Sequence, residues 1–529
     1  MLIGPALTAA VLIAAAGADI DPDLLTIAEA SDFKATATHA EVMELLQRID
    51  AVDDERTNLM HLTEFGRSFE GRTLPLAIIA DPPVRTPEEA KATGKPIVYA
   101  WGDIHAGEVC GKEALLMLAR ELVTTPDHPL LDDLIILLAP IYNADGNDRM
   151  DRNNRPGQVG PEEGMGQRRN AQNLDLNRDW VKLESPEAQA MVGVFNDWDP
   201  HITIDLHTTN GSHHRNALTF DGLLNPSCHE PALRFVHHEL LPAVSERLEE
   251  RTGYKSFYYG NFNRAQTIWA TYSCDPRFSG PYCGLRGHLA ILSEAYAYIS
   301  YKDRVMVTLE FVREIMTYAI ENRDRVIELH EQARAETIVA GENPQPGDVV
   351  GIQHRLVAFN SPATVPGYVM EPGEGRRRRP RPTEVEKDYQ VIHLGRFEPT
   401  LSVRRPYAYL LKPGLDGVVE KLRQHGIEVM PFEGDARVEA YTVMQIDRAQ
   451  RTYQGHNCVT LQVEASDQNV SLPAGAMIVR TAQPLGTLAV YLLEPQSSDS
   501  LTTWNLLDDH LEVGGEFPVY RVQSPADLN

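Results

Sequence analysis

Residues 96–124 read Pro96-Ile-Val-Tyr-Ala-Trp101, then Gly-Asp-Ile-His105-Ala-Gly-Glu108, then a stretch from Gly111 to Thr124. The first part is short, apolar and rich in strand-forming types. The last part carries Ala114, Leu115, Leu118, Ala119 and Leu122 on one face, the spacing of an amphipathic helix. A strand that leads through a short loop into a helix is the building unit of an α/β sheet. The loop itself holds His105 and Glu108, two metal-ligating types one turn apart. A third candidate ends a distant strand, Ile202-Thr-Ile-Asp-Leu-His207. Two histidines and one carboxylate leave the fourth tetrahedral position open to water, the pattern of a catalytic rather than a structural zinc site. A lone His-x-x-Glu arises readily by chance, so the reading depends on what surrounds it.

Outward from this stretch the same alternation continues. Leu74–Ala80, Leu134–Pro140, His201–Leu206 and Leu289–Ser293 read as strands, and Ser185–Trp198, Glu230–Thr252 and Asp303–Gln332 as helices. Leu134–Pro140 is a continuous apolar run, as in a strand buried on both faces. The fold class that follows is α/β: a mixed, mainly parallel sheet with helices on both faces. His105, Asn143, His207 and Glu294 fall at or just past the ends of predicted strands, where such sheets form their sites. Around residues 333–348 Gly, Pro and Asn mark a linker, and beyond it strands and turns dominate. Ser471–Arg480 and Gly486–Glu494 read as strands, and Tyr407–Phe432 as strand–helix–strand. The expected organisation is a signal peptide at 1–18, a catalytic domain at 19–340, and a C-terminal accessory domain at 341–529, β-rich and of α+β type.

The chain has 529 residues, a formal charge of −26 and 43% hydrophobic residues. The length exceeds one ordinary core. The charge argues against nucleic acid and anionic membrane surfaces as partners. Met1–Ala18 is a short apolar run ending in small residues, which suits export to the periplasm or medium, although no Lys or Arg precedes it. No other stretch is long and apolar enough for a membrane span. Five cysteines form no disulfide framework. Cys274 and Cys283 are close enough in sequence to bridge, and fit equally well as buried thiols. The basic loop Arg376–Arg379 reads as a solvated surface, with contact to an anionic polymer as the rival account.

Several ordered motifs between residues 60 and 300 resemble the zinc metallocarboxypeptidase family of carboxypeptidase A type. Gly66-Arg-Ser-Phe-Glu-Gly-Arg72 resembles the motif that precedes the zinc loop, and Gly102–Glu108 the loop itself. Pro140-Ile-Tyr-Asn-Ala-Asp-Gly146 resembles an Asn-Pro-Asp-Gly turn, with Ala144 in place of proline. Asn173-Leu-Asp-Leu-Asn177-Arg178-Asp179 resembles the carboxylate-binding Asn-Arg pair, and Leu292-Ser-Glu294-Ala-Tyr the catalytic glutamate strand. The resemblance implies one Zn²⁺ per catalytic site on His105, Glu108 and His207, with Glu294 as general base. It implies that Asn177 and Arg178 hold a substrate carboxylate, a task suited to the planar guanidinium fork. An oxyanion-stabilising arginine is sought among Arg152, Arg155, Arg168 and Arg169; Arg168, nine residues before Asn177, resembles the family pattern best. The family's mobile tyrosine corresponds to Tyr272 or Tyr282, with spacing favouring Tyr272. Glu294 in isolation is a strand-end glutamate, and buried structure accounts for either tyrosine. Asp205 shares a strand face with His207 and is either its partner or a polar strand-end residue. Arg277 and Arg286 near Glu294 are candidates for favouring an acidic substrate side chain, or for pairing with the chain's own carboxylates.

The activity implied is removal of C-terminal residues from peptides or peptide-like substrates. A zinc deacylase or amidase acting on N-acyl amino acids or cell-wall peptides is a second reading. An inactive zinc-binding recognition module is a third, disfavoured by the presence of Glu294.

Overall fold

The computed structural model describes residues 20–54, 57–372 and 380–528. The expected signal peptide at 1–18 and the basic loop Arg376–Arg379 lie outside the described residues. In chain order the strands of the first part are β1 (Met60–Arg67), β2 (Thr73–Ile79), β3 (Ile97–Gly102), β4 (Ile135–Ala139), β5 (Ile202–Thr209), β6 (Leu218–Asp221), β7 (Ser256–Tyr258), β8 (Asn261–Phe262), β9 (Ile268–Ala270) and β10 (Leu289–Tyr296). Eight of them make one mixed sheet in the order β1-β2-β4-β3-β5-β10-β6-β7. Its centre, β4-β3-β5-β10, is parallel throughout, and antiparallel pairings flank it. Every residue of β3 and β4 is buried, as their unbroken apolar runs require.

Strand alternation sorts the two faces. Leu206 faces the helix Cys110–Thr124, where Gly111 approaches so closely that a Cβ would stand 2.6 Å from the Leu206 Cβ. On the other face Tyr99 meets Met191 and Phe195 of the helix Pro186–Trp198. The register Trp101↔Asp205 and Glu294↔His207 puts Asp205, His207 and Glu294 on this second face. The helix Pro186–Trp198 starts at Ser185, whose side chain accepts the Ala188 N–H, and Pro186 occupies its first turn.

Past the helix Arg323–Glu342 the chain forms β11 (Val349–Ala358), β12 (Ala363–Glu371) and β13 (Arg381–Arg404), and β13 pairs in parallel with β9. A closed barrel follows from β14 (Ala408–Leu411), β15 (Met430–Arg448), β16 (Val459–Arg480) and β17 (Val519–Val522). One apolar cluster runs from Leu24 through Trp101 and Ile204 to Trp504 and Val519, so this second part packs onto the first.

Gly486–Glu494, expected as a strand, is instead the helix Gly486–Leu493, with all eight residues buried. A short run apolar on every side satisfies a fully buried helix as well as a buried strand, and periodicity cannot separate them. All five cysteines are free thiols, so Cys274 and Cys283 do not bridge. Among the described residues no helix is long and apolar enough to cross a membrane.

Candidate active site

Three strand ends converge at the carboxyl edge of the parallel centre. His105 follows β3, His207 stands near the end of β5, and Glu294 lies beside it on β10. Glu108 returns to His105 through a tight turn, its N–H bonded to the His105 carbonyl at 2.8 Å. Gly107 permits that turn to sit against its neighbours, since a Cβ there would meet the Gly166 carbonyl at 2.8 Å. His105 and His207 each direct Nδ1 at Glu108, at 3.2 and 2.8 Å. One ligand atom from each of the three lies within 4.8 Å of the others, and all three residues are buried.

The outer nitrogens decide what the inner ones offer. His105 Nε2 donates to Asp175 at 2.9 Å, and His207 Nε2 to Asp205 at 2.9 Å. Each carboxylate holds the Nε2 proton and leaves an Nδ1 lone pair pointing inward, the arrangement that supports a metal. The donor set of two imidazoles and a carboxylate, buried and oriented from behind, therefore fits Zn²⁺. Burial alone would raise Asp175, but His105 and Arg168 outweigh it and hold that carboxylate well below its usual range. At Glu294 burial wins: with Glu108 and Asp205 it outweighs the pull of His207 and Arg155 and pushes the carboxyl up to about 8.

A cleft of about 440 Å³ opens over these residues. Arg168 lines it, donating through Nε to Asp175 at 2.8 Å while its Nη1 stands 3.3 Å from His105 Nδ1. Arg155 lines it too, bonded to Glu108 at 2.8 Å and to the Thr208 carbonyl at 3.0 Å. Arg169 turns away to the Asn173 carbonyl, and Arg152 is exposed and absent from the cleft wall. Asn177 accepts from Trp180 and Ser279 through its oxygen and brings its Nδ2 to 3.2 Å from His207. Arg178 lies with its guanidinium 4.0 Å over the Phe278 ring. Tyr272 lines the cleft, packed against Tyr259 and Phe278. Tyr282 is in the core, its hydroxyl 2.7 Å from His425 Nδ1. The motifs upstream meet as well: Ser68 and the Glu70 N–H bond to Asp145, and Asn143 ties the Ile104 carbonyl to the Arg168 carbonyl.

The sequence of the zinc carboxypeptidase family matches residues 45–213. Over that stretch the chain is similar to the zinc carboxypeptidase family. The protein is a hydrolase of the metallocarboxypeptidase type. "Carboxypeptidase 2" of Trichophyton tonsurans is 23% identical over 513 residues, covering 93% of this chain and 88% of that protein. "Carboxypeptidase Z" of Mus musculus is 31% identical over 160 residues, 28% of this chain and 22% of that protein. Among solved structures, a metallo-carboxypeptidase from Burkholderia cenocepacia aligns with a TM-score of 0.38 at 16% identity, over 53% of this chain and 69% of that one.

Of the two accounts of Arg277 and Arg286, the one in which they favour an acidic substrate side chain needs correction. Arg277 and Arg286 do not face the cleft. Arg277 bonds to Asp499, and Arg286 is buried against the His425 carbonyl and Asn196. His213 and His214, which follow β5, stack on Tyr298 and Tyr296 and are absent from the cleft wall. Sequence reasoning undervalued Asp205, although its alternation with His207 was the signal. It missed Gln454, whose side-chain oxygen accepts the Asp175 N–H at 3.1 Å from the loop between β15 and β16. No local signal links residues so far apart in the chain.

Proposed function

We propose that this protein is a zinc-dependent carboxypeptidase that removes C-terminal residues from peptides, with His105, Glu108 and His207 as the metal ligands. The observation that carries the reading is the paired carboxylate behind each imidazole: Asp175 and Asp205 orient both Nδ1 atoms toward one point beside Glu108. Bound there, zinc supplies Lewis-acid polarisation of the scissile carbonyl and makes a water acidic enough to attack near neutral pH.

The chain's own groups do the rest. Glu294, beside His207 in a low-dielectric wall, takes a proton from the attacking water and hands it to the leaving amine. Its raised pKa keeps that proton exchange close to neutral. Arg168 is anchored by Asp175 at the cleft edge and offers fixed positive charge to the developing oxyanion. Asn177 and Arg178 receive the terminal carboxylate, and Tyr272 closes the wall beside them. Phe278 under Arg178 holds the guanidinium plane ready for a two-pronged contact. Export of the chain, with removal of residues 1–18, belongs to the same reading.

The test is release of free amino acids from a mixed peptide library by the purified protein and by Glu294→Gln, each assayed for bound zinc. Single residues freed from C-termini by the wild type, and lost in a variant that still holds zinc, are the expected result. A zinc-loaded wild type that leaves peptides intact would sink the proposal.

A further inference from the structure

At the amino ends of β5 and β10, opposite the cleft, a second set of histidines is buried outside the chemistry above. Asp199 terminates the helix Pro186–Trp198 in the left-handed conformation at φ 46°. His201 immediately precedes β5, His288 immediately precedes β10, and His330 projects from the helix Arg323–Glu342. Because β5 and β10 are parallel with Leu289 opposite Ile202, the chain brings Asp199 and His288 to one edge.

His288 is 0% exposed and His330 4%. Neither ring nitrogen of His288 has a hydrogen-bond partner among the described residues, and Nε2 of His330 reaches only Asp199, at 3.5 Å. A neutral imidazole carries one N–H donor and one lone pair, so burying both without partners is unfavourable unless something else satisfies them. One ligand atom from each of Asp199, His288 and His330 lies within 4.8 Å of the others. His201 stands aside: its Nδ1 accepts the Ile97 N–H at 3.1 Å, and its ring packs on His330 at 4.6 Å between centroids. Burial drives His288 toward the neutral form, which is the form that ligates metals. Asp199 carries an ion pair to Arg334, whose side chain is 31% exposed.

We propose that Asp199, His288 and His330 form a second transition-metal site that takes zinc and fastens the helix Arg323–Glu342 to the strands carrying His207 and Glu294. Two imidazoles and one carboxylate are a donor set zinc accepts. Tetrahedral coordination would draw the three atoms to about 3.4 Å from one another, a closure that partly exposed Asp199 can supply. No carboxylate backs either imidazole here, so this ion is held less tightly than one in the cleft.

The experiment uses the full chain, stripped by chelator, reloaded with Co²⁺ as a visible probe and counted by mass spectrometry. His330→Gln should bind one cobalt fewer than the wild type while keeping its circular dichroism and peptidase rate within about twofold. Asp199→Asn, altered at the exposed side of the cluster, should also bind one fewer. In His207→Ala, cobalt should still give a d–d absorption band and raise Tm, and both effects should vanish in His207→Ala/His330→Gln. A cobalt count in folded His330→Gln and Asp199→Asn equal to that of the wild type would overturn the proposal.

Discussion

The two ends of β5 and β10 gather similar side chains and treat them differently. At the carboxyl ends, each imidazole gives Nε2 to an aspartate and presents Nδ1 to Glu108. At the amino ends, His288 has no hydrogen-bond partner on either nitrogen among the described residues, and His330 reaches Asp199 only at 3.5 Å. The first arrangement fixes tautomer and direction before anything binds. The second leaves both open and carries the cost of burial without return. Preorganisation is thus a property of the carboxylates behind the histidines rather than of the histidines themselves.

The comparison can be broken in order of effect. Glu294→Gln should lower kcat by about 10²–10⁴-fold while bound zinc stays unchanged, read by amino-acid release and metal analysis. An equal loss of zinc would show that Glu294 supports the metal instead. Asp175→Asn should weaken zinc retention by about 10–100-fold in a competition with a chelator, because a neutral amide accepts the His105 Nε2 proton more weakly and can turn an N–H toward the ring instead. Undiminished retention would remove the distinction between the two ends.

Asp221, opposite Leu292 midway along β10, sharpens the comparison through pH. Burial pushes its carboxyl up to about 7. The folded chain keeps a proton there that the unfolded chain releases near pH 4. Stability from this group therefore falls as pH rises from about 4 to about 7 and is level above that. Asp221→Asn should abolish this fall, a difference on the order of a few kcal/mol in melts compared at pH 5 and 8. Parallel curves for the two proteins would show that the carboxylate ionises freely. The smallest effect belongs to the amino end: in metal-stripped protein His288→Leu should stabilise by about 1 kcal/mol in urea melts, since it removes unpaired buried nitrogens. Destabilisation would mean that the ring has partners in solution.

The sequence made the parallel centre and its strand-end residues legible because both obey local rules. Continuous apolar runs marked β3 and β4, and alternation placed Asp205 and His207 on one face. Spacing favoured Tyr272 over Tyr282 without deciding between them, and packing puts Tyr272 at the cleft and Tyr282 beside His425. Arg277 pairs with a carboxylate of the chain itself, one of its two accounts, but the partner, Asp499, comes from a distant part of the chain that no local rule brings near. The long hairpin of β15 and β16 alternates polar residues across a surface largely open to water, so it lacks the apolar contrast that marks a half-buried strand. Gly486–Leu493 failed for the opposite reason, being apolar on every side.

The loop between β15 and β16 bears on how this enzyme can be cut down. Gln454 holds the backbone of Asp175, His456 bonds to Glu184, and Asp499 grips the Arg277 segment that leads to Phe278. A fragment stopped at residue 340 would keep every proposed ligand yet lose these props. Such a fragment should express as an unstable, poorly metallated protein, and a protease nick at 449–458 should register as lost turnover. The practical minimum for engineering therefore includes the second part, and the far hairpin is as much a part of the workbench as the cleft.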